Sequence, residues 1–180
     1  MIKYIFLTDF DATLIEKNSH EYLDELCSDK IFINKIQLKY EKDHLWFKRM
    51  DEFYKKIHQL NITPEQILKQ YENISFVQGA IDFIKKIHCL GWFLTIISDG
   101  YDEVIYNVLQ RNNLIYCFNQ IVCNPNIWMK NKRLKIKNYA KDKIKIKQFH
   151  CQYGCPPNLC KGTLFFFVYK RFSPIVYLKK

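Results

Sequence analysis

The chain has 180 residues, 48% of them hydrophobic, and a formal net charge of +10. That length bounds it to one domain, or a domain with an inserted cap, and the apolar content is enough for a sizeable core. No apolar run approaches the roughly eighteen residues of a membrane span, and the N-terminus makes a poor signal peptide, so no membrane association is expected.

Seven cysteines, an odd number at irregular spacings, argue for a reducing compartment, the cytoplasm, rather than a disulfide scaffold. The positive charge is carried mostly by Lys and favours anionic partners. With no Arg-rich or aromatic-interleaved motif, it reads as solvated helix faces rather than a nucleic-acid surface. Oligomeric state has no sequence signal.

The chain opens on an apolar run, Ile2 to Leu7, that stops at Asp9 and Asp11, with a hydroxyl at Thr13. This is the pattern of a buried strand with a site at its carboxyl end. In a continuing strand the two carboxylates share a face; in a turn just past it they converge on one cation. Carboxylates that close repel unless something positive lies between them, most simply Mg²⁺. One can also attack phosphorus while the other moves a proton. The competing reading is an acidic surface turn bonded to its own backbone.

Asn18 with Glu21 makes a capping box opening a short helix toward Leu26. Ile36, Tyr40, Phe47, Met50, Phe53, Tyr54 and Ile57 then recur at helical steps, read as one longer helical pattern. Thr63-Pro64-Glu65-Gln66 is a strong helix start. His20, His44 and His58 fall at unrelated positions and read as packing or surface residues. Residues 18–76 are therefore predicted as a helical insert.

Gly79 to Leu90 is a further amphipathic helix with Ala80, Phe83, Ile84 and Ile87 on one face, and Gly91 stops it. A second apolar strand, Trp92 to Ile97, ends in Ser98-Asp99-Gly100, and the next helix runs from Tyr101 to Arg111. This alternation implies a parallel sheet. A hydroxyl, a Gly turn and a helix N-terminus at a strand's carboxyl end suit a phosphate.

Phe118 to Val122 reads as a third strand. Leu134 to Lys137 and Ile144 to Lys147 alternate and suggest a two-stranded excursion with one basic, wet face. Three Cys and a His follow within residues 150–160, at spacings unlike those of common zinc modules. Lys161, after a Pro-Pro turn, could open a helix with its ammonium at the sheet's edge.

Strand then Asp9-x-Asp11-x-Thr13, with Ser98 ending a second strand, resembles motifs one and two of the haloacid dehalogenase superfamily. Cys155-Pro156-Pro157-Asn158-Leu159-Cys160-Lys161 resembles the third-motif block of the phosphoethanolamine/phosphocholine and pyridoxal-phosphate phosphatase branch. The resemblance covers residues 1–162. It implies an α/β fold: a Rossmann-like three-layer parallel sheet with an inserted helical cap, the core from 1–17 and 77–162 and the cap from 18–76. It implies an Mg²⁺-dependent phosphatase acting on a small phosphorylated metabolite. Asp9 would be nucleophile and Asp11 general acid/base, both serving as metal ligands. Ser98, Asp99, Gly100 and Lys161 would bind substrate.

The family's fourth motif, Gly-Asp-Gly-x-x-Asp, has no counterpart, since no Asp or Glu follows Asp142. The tail Thr163 to Lys180 is expected to be non-family sequence that does not continue the helix after Lys161. The C-terminal part of the core would then be missing, and the alternative is a truncated, inactive member that at most binds phosphate-bearing ligands.

Overall fold

The computed structural model describes residues 4–42, 45–139, 155 and 159–170. Strand β1, Ile5–Thr8, pairs in parallel with β2, Phe93–Tyr101, which pairs in parallel with β3, Gln120–Asn124. The sheet order is β1-β2-β3, so all three carboxyl ends meet at one edge.

Alternation along the strands divides the core. Leu94, Ile96 and Cys123 pack with Ile84 and Ile87 of α5 (Ala80–Cys89) and with Val104, Ile105 and Val108 of α6 (Asp102–Arg111). Ile97 and Val122 pack on the opposite face with Leu159 and Leu164. Helices thus cover both faces of the sheet, the predicted three-layer α/β arrangement. Phe83, read as part of the packed face of α5, is exposed: that face centres on Ile84 and Ile87, and Phe83 lies at its margin, edge-on to Phe6.

Between β1 and α5 the chain makes four helices: α1 (Ser19–Asp24), α2 (Lys30–Glu41), α3 (Trp46–Gln59) and α4 (Pro64–Gln70). It leaves and returns through a narrow neck. Ile15 bridges Phe76, Glu16 N donates to Ser75 O at 3.0 Å, and Val77 N donates to Leu14 O at 3.0 Å. Both sequence caps form, the Asn18 and Thr63 boxes. The single helical pattern across Ile36 to Ile57 is in fact two helices. α3 folds back along α2: Lys56 pairs with Asp29, while Lys39 and Tyr40 at the other end bond Glu52. Periodicity alone cannot register such a reversal, because both helices bury the same kind of residue against each other.

Two further expectations change. Leu134 to Lys137 does form a strand, β5 (Leu134–Ile136), with Leu134 and Ile136 buried and Lys135 exposed. Its antiparallel partner is β4, Asn126–Trp128. Ile144 to Lys147, the proposed partner, lies outside the described residues, as do His150 and Cys151. The second correction concerns the tail. A helix, α7 (Lys161–Lys170), starts at Lys161 and continues past Gly162. It holds because Leu164 is buried against Ile97, Val122 and Leu159, and its amide donates to Cys160 O at 3.1 Å. The boundary drawn after Gly162 therefore falls inside a helix. No helix among the described residues is long and apolar enough to cross a membrane.

Candidate active site

After Thr8 the chain turns sharply around Phe10, whose ring is buried and whose carbonyl accepts the amides of Leu14 at 3.0 Å and Ile15 at 3.3 Å. Ala12 takes a left-handed φ of 49° to complete the turn. Of the two geometries open to Asp9 and Asp11, this is the turn: both carboxylates line one cleft at the sheet's carboxyl edge. Asp9 Oδ1 accepts its neighbour's amide, Phe10 N, at 2.8 Å. Asp11 Oδ1 instead accepts Ser19 N at 2.7 Å, from the first turn of α1. The surface-turn reading therefore fails for Asp11, which is held by a contact eight residues away.

The end of β2 supplies the next groups. Ser98 is fully buried, and Gly100 N donates to its Oγ at 3.0 Å. That bond occupies the Gly100 amide and holds the hydroxyl oxygen, which leaves the hydroxyl proton available as a donor. A Cβ at Gly100 would stand 3.2 Å from Ser98 Oγ and 3.3 Å from Asp11 Oδ2. Glycine is what lets motifs one and two approach this closely. The bulge between Ile97 and Tyr101 that turns these residues toward the cleft is braced by Asn124 Nδ2, which donates to Asp99 O at 2.6 Å.

Three buried phenols brace it from the other side. Tyr71 OH lies 3.4 Å from the hydroxyls of both Tyr54 and Tyr101, and the latter two also bond each other. Burial pushes all three phenol pKa values up, so they stay neutral donors and acceptors.

Lys161, at the start of α7, reaches across the edge. Its ammonium pairs with Asp9 Oδ2 and lies 4.0 Å from Asp99 Oδ2. Thus Asp9, Asp11, Ser98, Asp99 and Lys161 all line one cleft of about 280 Å³, with Gly100 behind it. Burial, helped by the nearby Asp9 carboxylate, raises the Asp11 pKa to about 6 against the opposing bond from Ser19. Such a carboxyl can carry a proton near neutral pH and give it away.

A divalent cation fits this donor set in a limited way. Asp9 and Asp11 offer hard carboxylate oxygens beside one another, and Mg²⁺ is commonly bound by one or two carboxylates completed by waters and phosphate oxygens. Among the described residues no group of three His, Cys, Asp or Glu forms a fuller cage.

The opposite wall of the cleft was not foreseen. It comes from Asn18, His20, Gln37, Tyr40, Glu41 and Trp46, on and beside α1, α2 and α3. His20, read as a packing or surface residue, lies edge-on to Trp46 with ring centroids 4.2 Å apart. Helix periodicity marks the residues that pack helix on helix; it says nothing about which remaining face meets a cleft.

Burial, with the Arg49 charge second, lowers the His20 pKa from 6.5 to about 4. The folded chain keeps His20 neutral where the unfolded chain takes a proton. Stability is therefore complete above pH 6.5 and is lost as pH falls from there toward 4, by roughly 2–3 kcal/mol from this residue. Urea titrations at pH 7 and 4.5 check it: His20→Gln should lose less stability between the two than the parent chain. An equal loss in both proteins rules the effect out.

The family model described as Putative Phosphatase matches residues 4–173. A thiamine phosphate phosphatase-like protein of Arabidopsis thaliana is 29% identical over 165 residues, covering 91% of this chain and 64% of that protein. The mouse (Mus musculus) pyridoxal phosphate phosphatase PHOSPHO2 is 26% identical over 170 residues, covering 91% and 65%. An Arabidopsis thaliana inorganic pyrophosphatase is 30% identical over 158 residues, covering 87% and 51%. The chain thus spans between half and two thirds of the length of these curated relatives. Among solved structures, a substrate-bound phosphoserine phosphatase superposes with a TM-score of 0.56 at 19% identity, over 81% of this chain and 70% of that one. A haloacid dehalogenase family hydrolase of Salmonella enterica superposes with a TM-score of 0.59 at 17% identity, over 80% and 50%. These likenesses show the fold.

Proposed function

The chain belongs to the Putative Phosphatase family, within the haloacid dehalogenase superfamily, and on that premise we propose that it is a phosphatase of small phosphomonoesters, working through an aspartyl-phosphate on Asp9. The substrate class is that of phosphocholine, phosphoethanolamine or pyridoxal phosphate. The observation that carries this reading is the ion pair between Lys161 and Asp9, residues 152 positions apart. A half-buried lysine and a carboxylate brought together beside a second carboxyl whose pKa is raised to about 6 serve no packing purpose. They suit a dianion that must be approached by a negatively charged nucleophile.

In the first step an Asp9 carboxylate oxygen attacks phosphorus, and the bond from phosphorus to the alcohol oxygen breaks. Asp11 gives its proton to that leaving oxygen. In the second step a water attacks phosphorus, Asp11 takes the water's proton, and the bond to Asp9 breaks to release phosphate. The Ser98 hydroxyl donates to a phosphoryl oxygen. The Lys161 ammonium offsets the combined charge of Asp9 and the phosphate. Asp99, 4.0 Å from that ammonium, serves best as its orienter, since a carboxylate turned to the phosphate would repel it. Mg²⁺, held by Asp9 and Asp11 when bound, would neutralise phosphate charge.

The neck at Ile15 and Phe76 supports dividing the chain into a core, 1–17 and 77–162 with α7 continuing it, and a cap, 18–76, whose wall of the cleft would exclude water in the first step. The odd cysteine count supports a cytoplasmic setting. The test is phosphate release from p-nitrophenyl phosphate with excess Mg²⁺ between pH 5 and 8. Nitrophenol and phosphate should appear in equal amounts. Binding of the ester with no release above the buffer rate would sink the phosphatase reading and favour a phosphate-ester binder.

A further inference from the structure

Among the described residues β1 pairs only with β2, which leaves its other side open. The ladder begins with Phe93 N donating to Tyr4 O at 3.0 Å and alternates along the parallel pair, so the amides and carbonyls of Ile5 and Leu7 face outward. Burial agrees. The residues of β1 are only partly buried, whereas Leu94, Thr95 and Ile96 of the flanked strand β2 are at 0% exposure. The open side also carries apolar surface: Tyr4 is 56% exposed and Phe83, edge-on to Phe6, is 46% exposed. A bare edge of this kind is a template for another strand.

Topology selects that strand. β1, α5, β2, α6 and β3 step across the sheet in one direction, with α5 and α6 on one face. A right-handed connection that turns back past β1 must carry its helix on the other face. α7 lies there: Leu164 packs with Ile97, Val122 and Leu159, and Leu7 of β1 joins them. It starts at the carboxyl edge, where Lys161 meets Asp9. Its ten residues are about 15 Å of helix, enough to return the chain to the amino edge. After Lys170 come Pro174 and then Ile175-Val176-Tyr177-Leu178, apolar throughout and rich in β-branched and aromatic residues. Proline suits the first position of a strand, and an unbroken apolar run suits a parallel strand covered on both faces. A second copy is a poorer occupant, because two chains of net charge +10 repel.

We propose that residues 175–178 dock as a fourth parallel strand on the open side of β1 and set Lys179 and Lys180 at the mouth of the cleft, beside Asp9 and Asp11, as built-in competitors of Mg²⁺. The run matches β1 in length, with Val176 opposite Phe6, Leu178 opposite Thr8 and Lys179 opposite Asp9. Val176 then bonds the outward carbonyl of Ile5 and the outward amide of Leu7. Val176 and Leu178 cover the side of Phe6 and Phe83, Ile175 and Tyr177 the side of Leu7 and α7. The cleft has cause to hold an ammonium there. Lys161 is the one cation lining it among the described residues and is paired with Asp9, so Asp11 has no ion-pair partner among them. The docked strand is independent of the phosphatase reading; the competition rests on that reading's Mg²⁺ site.

Hydrogen exchange followed by nuclear magnetic resonance reads the edge in the full chain. Val176→Pro removes the central bond of the new ladder, so the Leu7 amide should exchange at least about tenfold faster than in the parent. Amides of β3 should stay within about twofold, which shows that the fold survives. Calorimetric titration with MgCl₂ reads the lysines. Lys179→Gln and Lys180→Gln together should tighten Mg²⁺ roughly tenfold and leave the Leu7 amide protected. A Leu7 amide that exchanges at one rate in the parent and in Val176→Pro overturns the docked strand. Protection in the parent that vanishes on dilution assigns the edge to a second copy and overturns it equally. Equal Mg²⁺ affinities with and without the two lysines, or no binding in either protein, overturn the placement of the lysines. None of these measurements uses turnover, so a failure of the phosphatase reading shows separately, as absent nitrophenol release.

Discussion

Asp9→Asn lowers phosphate release by at least about ten-thousandfold, to the level of the buffer. The side chain keeps its size and its place at the end of β1, but an amide oxygen is too poor a nucleophile to form the phosphoryl bond. The remaining groups stay in position: Asp11 on Ser19 N, Ser98 Oγ under the Gly100 amide. The variant also breaks the pair to Lys161. Both partners are about a third or more exposed, at 43% and 31%, so that loss is worth at most about 1 kcal/mol of stability. Melting should therefore move by only a few degrees. Affinity for the ester should hold or improve, because one carboxylate no longer repels the phosphate and Lys161 is released toward it. This split, rate lost and binding kept, is what a nucleophile predicts. A structural acid would show the opposite, binding and stability falling together with the rate. Retention of more than about one part in a hundred of the parent rate in freshly purified protein would falsify the role assigned to Asp9.

The inner half of the site was legible in the sequence because each of its groups lies where a strand or helix changes into something else. Asp9 and Asp11 follow an apolar run, Ser98 ends another, and Lys161 follows a proline turn and opens α7. Polar groups at such junctions stand out against an apolar background, and a parallel sheet sends its strand ends to one edge. Closing the 152-residue gap from Asp9 to Lys161 still required the fold.

The outer wall had no comparable signal. Gln37, Tyr40, Glu41 and Trp46 sit on helices whose apolar stripes face other helices. A polar residue off the stripe looks the same whether it meets water or a cleft. The reversal between α2 and α3 was missed for a related reason: Ile36, Tyr40 and Phe47 keep helical spacing across a break that their spacing does not reveal. For the tail, the missing acids of a fourth motif drew attention from a local fact. TLFFFVYK is able to continue a helix wherever a neighbour such as Ile97 or Val122 can bury Leu164.

The largest expected loss of stability lies at a pair that no motif announced. Arg49 is buried to 1% exposure, its guanidinium paired with Asp24 and lying 5.0 Å from the Trp46 ring centroid and 5.8 Å from that of Phe53. Arg49→Met keeps most of the volume and removes the charge, so Asp24 is left largely buried without its cation. Breaking a buried pair from one side costs about 3–5 kcal/mol; the lower figure applies here because Asp24 retains 17% exposure. For a chain of this size that is a fall of roughly 10 °C in melting temperature.

The pH dependence carries a definite sign. Burial already raises the Asp24 pKa even with Arg49 opposing it, and losing Arg49 raises it further. A carboxyl whose folded pKa lies above its unfolded value adds stability at low pH and loses it as pH rises. The cost of Arg49→Met should therefore be greatest at pH 7 and smaller at pH 5, because a raised Asp24 pKa favours the neutral carboxyl as pH falls. His20 should shift with it: without the Arg49 charge its pKa rises from about 4, which a nuclear magnetic resonance titration of the imidazole can follow. The double variant Asp24→Asn, Arg49→Met removes both charges and should recover most of the loss. Urea unfolding of the single and double variants at the two pH values separates the contributions. A single variant as stable at pH 7 as the parent, or a double variant no better than the single, would mean that Arg49 acts through packing alone.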